Sequence, residues 1–180
     1  WHPQPDYVQV LDSSMLALLN VRYIVTYPDV LIPFNDWQPI CCDASVVIYE
    51  NPLAVPRAFT VNADAMTLPT ETFEYADGVT EFEIPDYTAA TVLSDTGREK
   101  LVELTLTDDS WLVYSENYLD GWKAFIRPAG IGEENEFQLE VVPVANVLQG
   151  VNINLDAVRE YYAESNLSDD AQQALEEGRF

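Results

Sequence analysis

Positive charge is what this chain most lacks. Its 180 residues carry 8 Lys and Arg against 31 Asp and Glu, a formal net charge of -23. Such a surface repels phosphate backbones, and no basic stripe relieves it, which disfavours nucleic acid as a partner. Direct binding to an anionic membrane is disfavoured for the same reason. Lysine occurs only at Lys100 and Lys123. That bias would suit divalent cations or high salt, but no D-x-D-x-D-G calcium loop is present. Histidine and cysteine are also sparse. His2 is the sole imidazole, too near the N-terminus to anchor a metal site by itself. Cys41 and Cys42 are adjacent, whereas a disulfide framework needs distant partners. They read as two partly buried thiols. No long apolar run exists either. The longest uncharged stretch, Val141 to Leu155, is broken by Pro143, Gly150 and three Asn, and does not suit a membrane span. The initiating Met is missing, since the chain begins at Trp1. It therefore reads as a segment of a longer protein, with any signal or anchor elsewhere.

What is present is enough apolar material for a core, 48% of residues. Asp12-Ser13-Ser14 before Met15 to Leu19 predicts a short capped helix, ended by Asn20. Val21 to Thr26 reads as a strand, and the prolines from Pro28 to Pro39 as a loop. Strands follow at Val46 to Tyr49 and Arg57 to Val61. Glu81 to Ile84 alternates briefly, and Tyr87 to Leu93 suggests a further strand. The clearest alternation runs from Lys100 to Thr107. Val102, Leu104 and Leu106 share one parity, and Glu103, Thr105 and Thr107 the other. Asp108-Asp109-Ser110 then predicts a tight turn, with Trp111 to Tyr114 as the hairpin partner. Trp122 to Ile126, Phe137 to Val144 and Val151 to Leu155 complete the series of strands. From Asp156 the pattern becomes helical and acidic, with Ser168 as a second cap and Gly178 after the last turn. The expected fold is mainly β: an antiparallel, jelly-roll-like β-sandwich with a short N-terminal helix and a C-terminal helical appendage. Residues 1–155 form the β domain and 156–180 the acidic tail.

No catalytic set emerges. G-x-S-x-G, G-x-G-x-x-G and P-loop patterns are missing, and the cysteines have no nearby His. No catalytic residue, metal site or cofactor is expected. Glu116, flanked by Tyr114 and Tyr118 and close to Trp122, is the best candidate for a special carboxylate, because aromatic walls stack on sugars and an acid binds their hydroxyls. The same aromatics read as core residues at a strand end. Asn20, Glu50, Asn51, Arg57, Glu116 and Asn146 fall at strand ends, where binding residues gather. With so few cations, Arg57 or Lys123 can bind a ligand or simply pair with a carboxylate. The candidate binding set is Glu116, Tyr118, Trp122, Lys123, Arg57 and Asn51.

Four segments in order, LLNVRYIVT (18–26), VIYENPLAVPRAF (47–59), SENYLDGWKA (115–124) and VANVLQGV (144–151), resemble the YfhO-like bacterial multi-pass membrane proteins, which are related to glycosyltransferases. The resemblance implies an extracytoplasmic, mostly β domain near the C-terminal end of such a protein, at the outer face of a bacterial cell membrane. Its partners would be the membrane-embedded part of the same chain and a glycan or lipid-linked sugar. The fragment would be non-catalytic, because the family's catalytic acid is expected in an early loop outside it. The acidic helical stretch from Asp156 departs from the family pattern. The alternative is a secreted carbohydrate-binding module, motivated by 4 Trp and 10 Tyr.

Overall fold

A computed structural model describes residues 13–43, 45–65, 84–145 and 147–180. The chain forms two compact units, residues 1–55 with 74–84 and residues 56–73 with 85–180. Of the brief alternation at Glu81 to Ile84, the first three residues lie outside the described residues, as does the strand-end residue Asn146.

In the first unit, α1 (Ser13–Leu18) forms over the expected apolar stretch and takes in Ser13 and Ser14, while Asp12 of the expected cap lies outside the described residues. It stops because Asn20 adopts a left-handed φ of 58°, which Asn tolerates better than most residues. Val21 N–H then donates to the Leu16 carbonyl at 2.8 Å, and Asn20 N–H to that of Ala17 at 2.9 Å. These two bonds are the Schellman closure, which satisfies carbonyls left open at a helix end. β1 (Tyr23–Thr26), β2 (Gln38–Cys42) and β3 (Val47–Glu50) make an antiparallel sheet in the order β1-β3-β2. β2 corrects the loop expected through Pro39. Proline lacks a donor and is tolerated because β2 lies at the sheet edge, where its pairing slips between Pro39 and Cys41. Edge placement leaves every β2 residue exposed, so Cys41 and Cys42 are exposed rather than partly buried. Among the described residues, Leu16, Ala17, Leu18, Trp37 and Val55 are this unit's buried apolar residues.

The second unit contains β4 (Ala58–Asn62), β5 (Thr88–Ala89), β6 (Thr91–Asp95), β7 (Lys100–Glu103), β8 (Ser110–Asn117), β9 (Ala124–Ile126), β10 (Phe137–Leu139), β11 (Val141–Val144) and β12 (Leu148–Ile153), then α2 (Leu155–Ala163) and α3 (Asp169–Glu176). Five strands form one antiparallel sheet, β11-β12-β8-β4-β5, while β6 pairs with β7 and β9 with β10. The mainly antiparallel β fold with a short first helix and two C-terminal helices is as expected, and no closed barrel forms among the described residues. Two expected strands are each divided, at Ala90 and at Glu140.

The expected β7–β8 hairpin does not form. β8 pairs with β4 and β12 instead. Beyond β7 the chain is already engaged by the C-terminus. Leu104 and Phe180 exchange two backbone hydrogen bonds of 3.0 Å, and Leu106 N–H donates to Gly178 at 2.8 Å. Asp109, read as a turn residue, also accepts the Leu155 N–H at 2.8 Å, fixing the start of α2.

The predicted parity holds. Leu104 and Leu106 are buried, while Glu103, Thr105 and Thr107 are exposed. They meet Val151 and Ile153 of β12, Ile126 of β9, and Leu155, Val158, Tyr162, Leu175 and Phe180 of the C-terminal segment in one core. The acidic helices thus face water on one side and fill the core with the other. Each large apolar side chain so buried contributes about 1.5–3 kcal/mol. The Tyr162 hydroxyl sits 2.9 Å from the Ile126 carbonyl and 2.7 Å from that of Asn135. Burial pushes its pKa up to about 12.

Asn154 and the expected Ser168 cap α2 and α3, and Gly178 ends α3 with φ 67°. A Cβ at Gly178 would overlap the Leu106 carbonyl oxygen. Gly178→Ala should therefore cost at least about 1–2 kcal/mol from the left-handed backbone alone, with further loss from displacing residues 178–180. An unchanged midpoint in urea denaturation would contradict the pairing of the C-terminus with Leu104 and Leu106.

Candidate functional site

The inward parity of the 100–106 segment has a polar end. Lys100 is in phase with Val102, Leu104 and Leu106, so its side chain turns toward the margin of the core and is only 8% exposed. A buried ammonium requires compensation. Glu116 Oε2, itself shielded from solvent, lies 2.5 Å from Lys100 Nζ, and Asp95 Oδ1 lies 3.4 Å away. Two aromatic rings complete the setting, with Lys100 Nζ 4.6 Å from the Trp122 ring centre and 5.0 Å from that of Tyr114. Cation–π contacts of this kind contribute about 0.5–2 kcal/mol each.

Arg57 closes the outer side. Its guanidinium reaches Asp95 at 3.7 Å and Glu116 at 3.9 Å, and stands 5.3 Å over the Tyr114 ring, with 46% of the side chain exposed. The backbone arrangement follows from the sheet. Ala58 pairs with Tyr114, so Arg57 is carried to the same end of the sheet as Tyr114 and Glu116. Gly121, at φ 98°, supplies the turn that precedes Trp122.

The cluster balances two cations against two carboxylates. The Tyr114 hydroxyl donates to Asp95 Oδ2 at 2.8 Å. That bond, then the Gly97 N–H, then Lys100, hold the Asp95 pKa down at about 2. Burial alone would lower the Lys100 pKa, but Glu116 and then Asp95 outweigh it and raise it. The Tyr114 pKa is raised by burial first and by its bond to Asp95 second. At neutral pH, Asp95 is therefore a fixed acceptor rather than a proton donor. The arrangement suits hydrogen bonding to a polar ligand over the Arg57 side, with the buried Tyr114 ring beneath the two cations.

Of the sequence-derived candidates, Arg57, Glu116 and Trp122 come together here. Tyr118 is half-buried just beyond β8, where its N–H donates to the Val147 carbonyl at 2.6 Å. Lys123 is exposed on the turn after Trp122. Asn51 lies in the first unit, 2% exposed, with Nδ2 donating to Val21 at 3.1 Å and Oδ1 accepting from Leu53 at 3.0 Å. Its amide holds the loop after β3, just as the Asn20 amide donates to the Val55 carbonyl. Asp95 and Lys100 lie outside the sequence-derived candidates, while Tyr114, named there as an aromatic neighbour of Glu116, contacts both cations. The parity of Lys100 with three inward apolar residues was the available signal for one of them.

The fold and this cluster define a mainly β protein with a charge-compensated, aromatic-framed polar site. No family model, curated protein or solved structure matches the chain.

Replacing Lys100 by Met leaves the shielded Glu116 Oε2 without its nearer counter-charge, with only Arg57 remaining at 3.9 Å. The loss should be about 1–3 kcal/mol, reduced from the fully buried case because Glu116 is partly exposed. Lys123→Met should stay within about 0.5 kcal/mol, and equal effects in urea melts would refute the assigned difference. The pH dependence has a definite sign. Asp95 is depressed below its ordinary 3.8, so its contribution is present above about pH 4 and lost as pH falls toward 2. Tyr114→Phe should weaken this acid-side loss, measured as a smaller change in unfolding free energy between pH 5 and pH 2.

Proposed function

We propose that this chain is an extracytoplasmic accessory or substrate-binding domain of a bacterial, membrane-bound glycosyltransferase-like protein. It contributes binding rather than bond-making chemistry. The resemblance of four ordered segments to YfhO-like proteins motivates the reading. The observation that carries it is the meeting of Arg57, Glu116 and Trp122 around Lys100 and Tyr114. Arg57 comes from the second of those segments, and Glu116 and Trp122 from the third. The half-exposed Arg57 offers donors to sugar hydroxyls or to the phosphate of a lipid-linked sugar, and the carboxyl groups of Asp95 and Glu116 offer acceptors to sugar hydroxyls. In this role the surrounding acidic surface is the water-facing side of a domain held beyond the positively charged cytoplasmic loops.

Two measurements test the proposal. The full reading frame should encode hydrophobic helices flanking this chain, and a frame without them would remove the membrane-bound parent. A polyprenyl-phosphate sugar in detergent micelles should bind the chain, with affinity falling about tenfold (about 1.4 kcal/mol) in Arg57→Ala. Equal binding by the parent chain and Arg57→Ala would dismiss the cluster as the contact site.

A further inference from the structure

We infer that the second unit carries a separate cleft for one neutral polyhydroxyl ring, such as a single hexose residue. The inference does not rest on the proposed function. The cleft has a volume of about 250 Å³, and its walls include Thr60, Asp86, Thr88, Thr105, Asp108 and Ser110. At about 30 Å³ per water, it holds roughly eight waters, the scale of one small ring. Pockets for larger organic ligands run to about 300–1,000 Å³.

The lining selects the chemistry. Neither Lys nor Arg is among its described residues, and two of them are aspartates, so an anionic ligand such as a sugar phosphate is repelled. No group of three or more acidic, His or Cys side chains is placed to hold a metal among the described residues. What remains is mainly hydroxyls and carboxylates, with the Asn62 amide, the Tyr87 ring and Leu106 beside them. Each carboxylate accepts several hydrogen bonds and each hydroxyl both donates and accepts. Vicinal hydroxyls on a ring match that pattern, and bonds to a carboxylate are the stronger kind.

Part of the wall is already fixed. Thr60 Oγ1 is 3.5 Å from the Thr88 carbonyl, and Ser110 Oγ donates to the Asp108 carbonyl at 2.9 Å. The Asp86 carboxylate and the Thr88 and Thr105 hydroxyls have no side-chain partner among the described residues, and all three residues are exposed. They are the groups free to bind. The cleft is distinct from the Lys100 cluster. It includes Ser110, at the start of β8, whereas Glu116 lies near the end of that strand. Six residues of strand separate them by about 20 Å.

Amide-resolved NMR titration of the 180-residue chain with methyl glucoside, methyl galactoside and N-acetylglucosamine tests the inference, with glucuronate and calcium chloride as comparison ligands. At least one neutral sugar should shift the amides of residues 86–88 and 105–110, and glucuronate should shift them less. Asp86→Ala should weaken that binding about tenfold while keeping the thermal midpoint of the parent, because Asp86 is exposed. Thr105→Val should weaken it in the same direction. Silence with all three neutral sugars would overturn the inference. So would shifts produced by calcium alone, shifts centred on Glu116 and Trp122, or undiminished binding by Asp86→Ala.

Discussion

The second unit depends on a single parity constraint. Residues 100–106 alternate in and out, and the inward set must find partners along its whole length. At one end Leu104 and Leu106 meet the strands and the C-terminal helices. At the other end the inward residue is a lysine, and a low-dielectric margin admits an ammonium only with opposite charge and aromatic faces around it. Asp95, Tyr114, Glu116 and Trp122 provide both. The polar cluster is therefore the continuation of the core by other means, and its position follows from the same alternation that builds the core.

The acidic composition gives that cluster its value. Among the described residues, Arg57, Lys100, Arg127, Arg159 and Arg179 lie within ion-pair distance of a carboxylate. Scarce cations are thus mostly local counter-ions rather than a coherent positive field. Of these, only Lys100 sits between two carboxylates and two rings. Surface pairs such as Arg159 with Asp156 add little, because water and salt screen them. Lys100 is better shielded, so its removal is felt more strongly.

Much of the local structure was legible in the residues. The helix stop at Asn20, the caps at Ser168 and Gly178, and the buried parity of Leu104 and Leu106 are all local events, set by backbone propensity and period. Pairing was not legible. Trp111 to Tyr114 looked like the return limb of a hairpin because Asp108-Asp109-Ser110 is a good turn. The competing partner, residues 178–180, lies too far along the chain for a local pattern to reveal. β2 was hidden by Pro39, whose meaning changes once the strand is known to lie on an edge. The candidate site was half legible. Aromatic and acidic residues near a turn point to Tyr114, Glu116 and Trp122, but Asp95 and Lys100 join them only through the packing of other strands. Asn51 was singled out for the same strand-end reason, and its amide is spent on the backbone of its own unit.

The bonds between Leu104 and Phe180 also have a kinetic meaning. They close a loop of 76 residues (180 − 104), and three of the four pairings in the five-stranded sheet join distant segments. Chains dominated by such non-local contacts fold slowly, because loop-closure entropy is paid before the contacts return it. During synthesis, β4 and β8 can emerge and meet while Leu104 and Leu106 still lack their C-terminal cover. The apolar stripe on 102–106 then stays open until residue 180 is free, and the high negative charge keeps such half-finished chains apart.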